Sequence, residues 1–248
     1  MAPQLRSRLH HRRGSLVTSP TLLKRLERRL IVSSQAMNPL SPLRHRPDVL
    51  ALLAEAAELG GAGGFRVNGA DVVGLLRPRT SLPIIGIVKD TREGFDNYIT
   101  TSSADAEALC AAGADIVAIQ ATSGTRPGES FAEVAATTHR HGKLVMADIA
   151  TLSEARQAAA EGADLIATTM VGHTALTEGQ ARPPLDLVSE IVAALDVPLV
   201  VEGGIWTPEH VAASFERGAF AVVCGSAITA PDIITERLVA AIPSSPRP

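Results

Sequence analysis

Three times along the chain an Ala-rich helical stretch ends in glycine and runs straight into a short apolar strand: Ala112-Gly-Ala-Asp-Ile-Val-Ala118, Glu161-Gly-Ala-Asp-Leu-Ile-Ala167 and Arg217-Gly-Ala-Phe-Ala-Val-Val223. Glycine ends a helix there because it enters the left-handed region without a Cβ clash. The units recur about every fifty residues, the length of a strand–helix pair or slightly more. Further apolar runs lie between them, and the full set of strand candidates is 30–35, 64–68, 83–89, 115–121, 143–149, 164–169, 198–203 and 219–225. Eight strands alternating with helices predict an α/β fold, a (β/α)8 TIM barrel closed on itself in a single domain. A doubly wound open sheet is the alternative, but no Gly-x-Gly-x-x-Gly follows the first strand.

Composition agrees. The 248 residues are 46% hydrophobic and 20% charged, enough for one large core, and only 3% aromatic, which suits helices on parallel strands better than an antiparallel sandwich. No apolar run reaches the roughly eighteen residues that cross a bilayer, so no membrane partner is expected. Cys110 and Cys224 fall in a helical and a buried-strand pattern, which reads as two inert core thiols in a reducing cytoplasm. Residues 1–30 carry eight Lys or Arg against Glu27 alone, so the body that follows is acidic and a nucleic-acid partner is not expected for it. The basic opening could be a transit peptide, a nucleic-acid arm or unstructured residues added by an upstream start, and the last is favoured because it has neither enough apolar residues to fold nor a secretory core. Ordered chain is expected from near Ser19, with helical spacing over 21–30, a catalytic domain at 21–243 and a tail at 244–248.

Catalytic groups of such a barrel stand at the C-terminal strand ends. Here those ends read Gln35, Arg66 with Asn68, Lys89, Gln120, Asp148, Thr168 with Thr169, Glu202, and Gly225 with Ser226. Lys89 closes the run Pro83-Ile-Ile-Gly-Ile-Val-Lys89, whose β-branched content marks a strand buried on both faces. Burial strips an ammonium of hydration and lowers its pKa towards neutrality, making a proton acceptor or an amine nucleophile. The plainer alternative is a lysine whose stem covers apolar surface as it leaves the strand. The polar company at the other strand ends favours function. Glu202-Gly203-Gly204-Ile and Cys224-Gly225-Ser226-Ala put glycines after the seventh and eighth strands, where barrels commonly hold phosphate.

Leu30-Ile-Val-Ser-Ser-Gln-Ala, Gly64-Phe-Arg-Val-Asn-Gly, Leu82-Pro-Ile-Ile-Gly-Ile-Val-Lys, Met146-Ala-Asp-Ile-Ala-Thr, Ala167-Thr-Thr, Val201-Glu-Gly and Val223-Cys-Gly-Ser-Ala-Ile-Thr follow one another in order between about residues 20 and 242. The series resembles the N-acetylmannosamine-6-phosphate 2-epimerases. The resemblance implies a barrel that needs no cofactor and interconverts N-acetylmannosamine 6-phosphate and N-acetylglucosamine 6-phosphate in sialic-acid and amino-sugar catabolism. It puts the catalytic lysine on Lys89, the active-site glutamate on Glu202, and sugar-binding residues on Gln35, Arg66 and Asp148. No fused kinase is expected after the eighth helix, no histidine cluster suggests a metal, and a homodimer stays open alongside a monomer.

The chain also departs from the family pattern. Where Ala-Leu-Asp-Ala-Thr is usual it has Ala118-Ile-Gln-Ala-Thr, making the fourth strand end the neutral Gln120; the usual Glu-Gly-Arg-Ile becomes Glu202-Gly-Gly-Ile; the lysine is followed by Asp90 rather than arginine; and Ser-Gly-Tyr-Thr becomes Val171-Gly-His173-Thr. Losing an arginine should weaken phosphate binding, and His173 or Arg182 from the long loop could compensate. Asn68 could assist Arg66 at an enediolate oxygen. A Schiff-base aldolase or lyase working through the Lys89 amine and a non-catalytic phosphosugar-binding barrel are the other readings, although no tyrosine signal accompanies the lysine.

Overall fold

The computed structural model describes residues 19–243; the basic stretch before Ser19 and the tail at 244–248 lie outside the described residues. Strands β1 (Leu30–Ser34), β2 (Gly64–Asn68), β3 (Ile84–Ile87), β4 (Ile116–Gln120), β5 (Leu144–Asp148), β6 (Leu165–Ala167), β7 (Leu199–Glu202) and β8 (Ala221–Cys224) pair in parallel in chain order, and β8 returns to β1. All eight fall inside the runs read from sequence, and the closed barrel replaces the open-sheet alternative. Around it stand α1 (Ser19–Leu26), α2 (Pro47–Leu59), α3 (Ala70–Leu76), α4 (Ser103–Ala112), α5 (Phe131–Arg140), α6 (Leu152–Ala160), α7 (Leu185–Ala194), α8 (Pro208–Glu216), the single turn α9 (Ser226–Thr229) and α10 (Pro231–Val239). The first helix is shorter than the 21–30 spacing suggested. Arg28 takes φ 54° and its N–H bonds the Phe220 carbonyl at 2.7 Å, which turns the chain into β1.

The glycines of the three recurring units, Gly113, Gly162 and Gly218, have φ of 103°, 102° and 92° and end α4, α6 and α8 as read. Helix starts are capped as well: Ser130 with Glu133 and Thr151 with Glu154 form capping boxes. Glu154 also accepts from the Ser123 N–H at 2.8 Å, tying the start of α6 to the loop after β4.

Strand pleating divides the apolar residues into two sets. Phe65, Val67, Val117, Ile119, Val145, Ala147 and Ile166 face out against the helices, whereas Ile31, Ile85, Ile87, Ile116, Met146, Leu165, Val200 and Val223 fill the barrel. Leu22 and Leu26 of α1 join the inner set and close the end away from the site. Continued up each strand, the inward parity of Ile31, Ile87, Met146, Ala167 and Val200 reaches Ser33, Gln35, Lys89, Asp148, Thr169 and Glu202, so one geometric rule delivers polar groups to a single mouth. Gly86, facing out, lets α4 lie flush on β3: a Cβ there would sit 2.9 Å from Leu109 Cδ2 and 3.2 Å from Ala114 Cβ. Gly86→Val should therefore cost about 1–3 kcal/mol of stability through overpacking, read as a fall of several degrees in Tm with the barrel's far-UV circular dichroism retained.

Candidate active site

A cavity of about 230 Å³ opens at the C-terminal mouth, and its wall includes Gln35, Arg66, Lys89, Tyr98, Thr169, His173, Arg182, Glu202, Gly203, Gly204, Gly225 and Ser226. Its floor is an ion-pair network. Arg66, 1% exposed, donates from Nη1 and Nη2 to the two carboxylate oxygens of the fully buried Asp148 at 3.0 and 2.7 Å, and Nη1 stands 3.1 Å from Glu202 Oε2. Burial alone opposes the guanidinium charge, but Asp148 and Glu202 outweigh it, and the Arg66 pKa is raised. Such a forked pair fixes orientation as well as charge. The Thr169 hydroxyl lies 2.6 Å from Asp148 Oδ1 and 3.3 Å from Glu202 Oε2, and its single proton belongs to the shorter contact. Glu202 is held above the usual carboxylate range, by burial first and by Asp148 second, against the opposing pull of Arg66 and Lys89. The site thus pairs a fixed cation with a carboxyl group that holds its proton more tightly than usual.

Lys89 leaves β3 into a loop that folds back over the mouth. Its N–H donates to Asn68 Oδ1 at 3.0 Å, it bridges Ile99 in antiparallel fashion, and Asp90 N–H bonds the Tyr98 carbonyl at 2.8 Å. Gln120 pins the returning segment, its Oε1 accepting from the N–H groups of Tyr98 and Ile99 at 2.9 and 3.3 Å. Arg126 then ties that segment to β4, donating to the carbonyls of Gln120 at 2.6 Å and Thr100 at 3.1 Å. Among the described residues the ammonium itself reaches only Met37 Sδ, at 3.3 Å, a weak acceptor. Burial and then the charge on Arg66 lower the Lys89 pKa from 10.5 to about 8, with Glu202 and Asp148 opposing. A substantial neutral fraction near pH 8 makes this amine a usable base.

The candidates read from sequence separate into two groups. Gln35, Arg66, Lys89, His173, Glu202, Gly203, Gly204, Gly225 and Ser226 share the cavity wall. Gln35 donates from Nε2 to Ser33 Oγ at 2.8 Å and keeps a buried Oε1 without a partner, an acceptor suited to a substrate N–H or hydroxyl. Asp148 lies beneath the wall, bound to Arg66 rather than open to a sugar. Thr168 is on the outward parity, where its hydroxyl joins the Glu202 N–H and carbonyl at 3.0 and 2.9 Å and zips β6 to β7; Thr169 is the inward residue. Gln120 spends its amide on the loop, also donating to Thr122 Oγ1 at 2.7 Å, and Asn68 faces an adjoining cavity while anchoring Lys89. Tyr98 and Met37 were not singled out from sequence, and nothing in their local pattern marks them, because a loop closing back on its own strand brings in Tyr98. Among the described residues no group of three or more His, Cys, Asp or Glu is placed to hold a metal ion.

Comparison with known proteins converges on one family. Residues 50–244 match the family model described as "Putative N-acetylmannosamine-6-phosphate epimerase". A protein of Caldanaerobacter subterraneus named "Putative N-acetylmannosamine-6-phosphate 2-epimerase" is 40% identical over 221 residues, covering 88% of this chain and 92% of that one. One of the same name from Synechococcus elongatus is 42% identical over 228 residues, covering 90% and 97%. The solved N-acetylmannosamine-6-phosphate 2-epimerase of Clostridium perfringens superposes with a TM-score of 0.85 at 33% identity, covering 89% of this chain and 96% of that structure.

The shifted lysine also has a thermodynamic consequence. Lys89 titrates at 10.5 when unfolded and near 8 when folded, so between those values the unfolded chain holds more protons and stability rises with pH. Below about pH 8 the folded state bears the full cost of the charge. Lys89→Met, which keeps the stem and removes the charge, should raise Tm by a few degrees at pH 7 and flatten the rise between pH 8 and 10; a lower Tm in that variant would contradict the burial cost.

Proposed function

The chain belongs to the N-acetylmannosamine-6-phosphate epimerase family, and from that premise we propose how this site inverts C2 of N-acetylmannosamine 6-phosphate to give N-acetylglucosamine 6-phosphate, an isomerase reaction of amino-sugar and sialic-acid catabolism. The observation that carries the reading is an amine titrating near pH 8 beside a buried guanidinium and a carboxyl of raised pKa. The C2 proton is acidic only when C1 is a free aldehyde, so the ring opens first. Glu202, whose pKa burial raises, donates its proton to the departing ring oxygen while the anomeric hydroxyl loses its proton to solvent as C1 becomes the aldehyde. Neutral Lys89 then takes the C2 proton, the C–H electrons move onto the C1 oxygen, and the Arg66 charge stabilises the enediolate. The Lys89 ammonium returns a proton to the opposite face of C2 once the open chain has turned that face towards it, and ring closure, the reverse of opening, gives the epimer. Gln35 meets the acetamido group or a hydroxyl through its free Oε1. Asp148 orients Arg66. Gly203, Gly204, Gly225 and Ser226 form the phosphate end of the cavity.

The catalytic unit of this reading is residues 21–243. No helix among the described residues is long and apolar enough to cross a membrane, and the two buried free thiols suit a cytoplasmic enzyme. The last barrel helix, α10, has no buried residue and exposes Leu238 and Val239, with Ile242 just beyond, which supports a homodimer formed with a second copy over this face. Sedimentation should then give twice the 25.9 kDa chain mass, and Leu238→Glu should return it to one; a wild-type monomer at micromolar concentration would exclude the dimer.

Proton NMR in deuterated water tests the chemistry directly. With N-acetylmannosamine 6-phosphate the C2 proton should wash out as the gluco epimer appears, with kcat/KM falling about tenfold per pH unit below an acid limb near 8. Lys89→Ala should abolish exchange while keeping phosphosugar binding. Borohydride should leave no covalent adduct; trapping on Lys89 would move the reaction to a Schiff-base lyase, and thermal stabilisation by the sugar without turnover would leave only binding.

A further inference from the structure

Gly204, two residues beyond the end of β7, lines the cavity and leaves no room for a side chain. Gly204 has φ 75°, and a Cβ built on it would overlap Arg182 Cβ and lie 2.5 and 2.7 Å from the Arg182 carbonyl carbon and oxygen. Backbone atoms cannot swing aside as a flexible side-chain tip can, so a side chain at 204 and the present course of the chain at 182 exclude one another. The Arg182 stem continues across two more glycines of positive φ. A Cβ on Gly172 would meet its Cδ at 3.3 Å and Nε at 3.4 Å, and one on Gly203 would meet Cδ at 3.9 Å. Three glycines therefore form a bare track along which one arginine lies.

The head of that arginine is aimed and unneutralised. Its Nη1 donates to His173 Nε2 at 2.7 Å, which requires a lone pair on that nitrogen and hence a neutral ring. His173 is held below its ordinary pKa by burial first, then by Arg182 and Lys89, in keeping with that state. No carboxylate pairs with Arg182 among the described residues. Both side chains line the cavity that holds Lys89 and Glu202, at a wall shared with Gly203, Gly204, Gly225 and Ser226.

Building on the epimerase reading, we infer that Arg182, laid along its glycine track and oriented by His173, is the cation that receives the substrate's phosphate. His173 is a positioning residue and touches no reacting atom. The arrangement has a definite signature: while the chain keeps its course at 182, no side chain fits at 204.

Steady-state kinetics with N-acetylmannosamine 6-phosphate and with unphosphorylated N-acetylmannosamine, together with titration of inorganic phosphate into the wild type, Arg182→Gln, Arg182→Lys and His173→Gln, test the assignment. Arg182→Gln should raise KM for the phosphosugar and Kd for inorganic phosphate about ten- to a hundred-fold, the range of a lost charge-assisted contact, with kcat within about threefold and the unphosphorylated sugar unaffected. Arg182→Lys should recover part of the loss, and His173→Gln should raise KM by a smaller factor without moving kcat. Gly204→Arg, which the backbone at 182 leaves no room for, should bind phosphate poorly. Unchanged phosphate affinity in a folded Arg182→Gln would overturn the inference. So would full phosphate affinity in Gly204→Arg with the 168–184 loop protected from protease as in wild type. If the wild type binds phosphate through Arg182 but turns over neither sugar, the epimerase reading fails and the phosphate site stands.

Discussion

Everything at the mouth of this barrel is organised by one buried charge. The Arg66 guanidinium, 1% exposed, is tolerable only because Asp148 takes both its terminal nitrogens and Glu202 lies against one of them. Removing either member of such a pair leaves an uncompensated charge at a cost of about 3–5 kcal/mol, so the network is rigid by necessity. That rigidity serves the chemistry. A cation that cannot move or be hydrated lowers the Lys89 pKa and remains in place to meet negative charge as it develops on a substrate. Two carboxylates share this one cation, and the asymmetry of their bonds separates them: Asp148 has the bidentate geometry and the Thr169 hydroxyl, while Glu202 keeps a raised pKa.

The barrel was legible in the sequence because its signals are local. Glycine at helix ends, capping residues and apolar runs of strand length need no knowledge of distant contacts, and the inward parity of each strand follows from its own pattern. Composition alone does not separate neighbours at a strand end. Thr168 and Thr169 are equivalent as residue types at a strand end, yet alternation from Leu165 and Ala167 assigns only Thr169 to the inside. Gln120 shows a different limit. It has the inward parity, but its amide is consumed by Asp96, Tyr98 and Ile99 from a loop whose return path no local rule specifies. Tyr98 reaches the cavity by that path.

This loop also explains how a neutral residue serves at the fourth strand end. Gln120 accepts two backbone N–H groups through one oxygen and donates through its nitrogen to the Asp96 carbonyl and to Thr122. A carboxylate could accept but not donate, leaving that carbonyl unpaired beside a negative charge. The amide therefore fits the particular course of the segment between Lys89 and Ser102, and Arg126, donating to three carbonyls around it, completes the brace.

Charge placement at the far end of the cavity bears on the lysine as well. A phosphate dianion entering near Lys89 would favour the ammonium and raise its pKa, working against the effect of Arg66. A guanidinium that meets the phosphate cancels part of that field at its source, where separations are shortest. Arg182 on its glycine track can do this without adding bulk to the strand end, because the arginine enters from the loop side while Gly203 and Gly204 keep the backbone open to the cavity. A loop arginine serves in this way only if the loop holds the guanidinium still. Its bond to a neutral His173 does so.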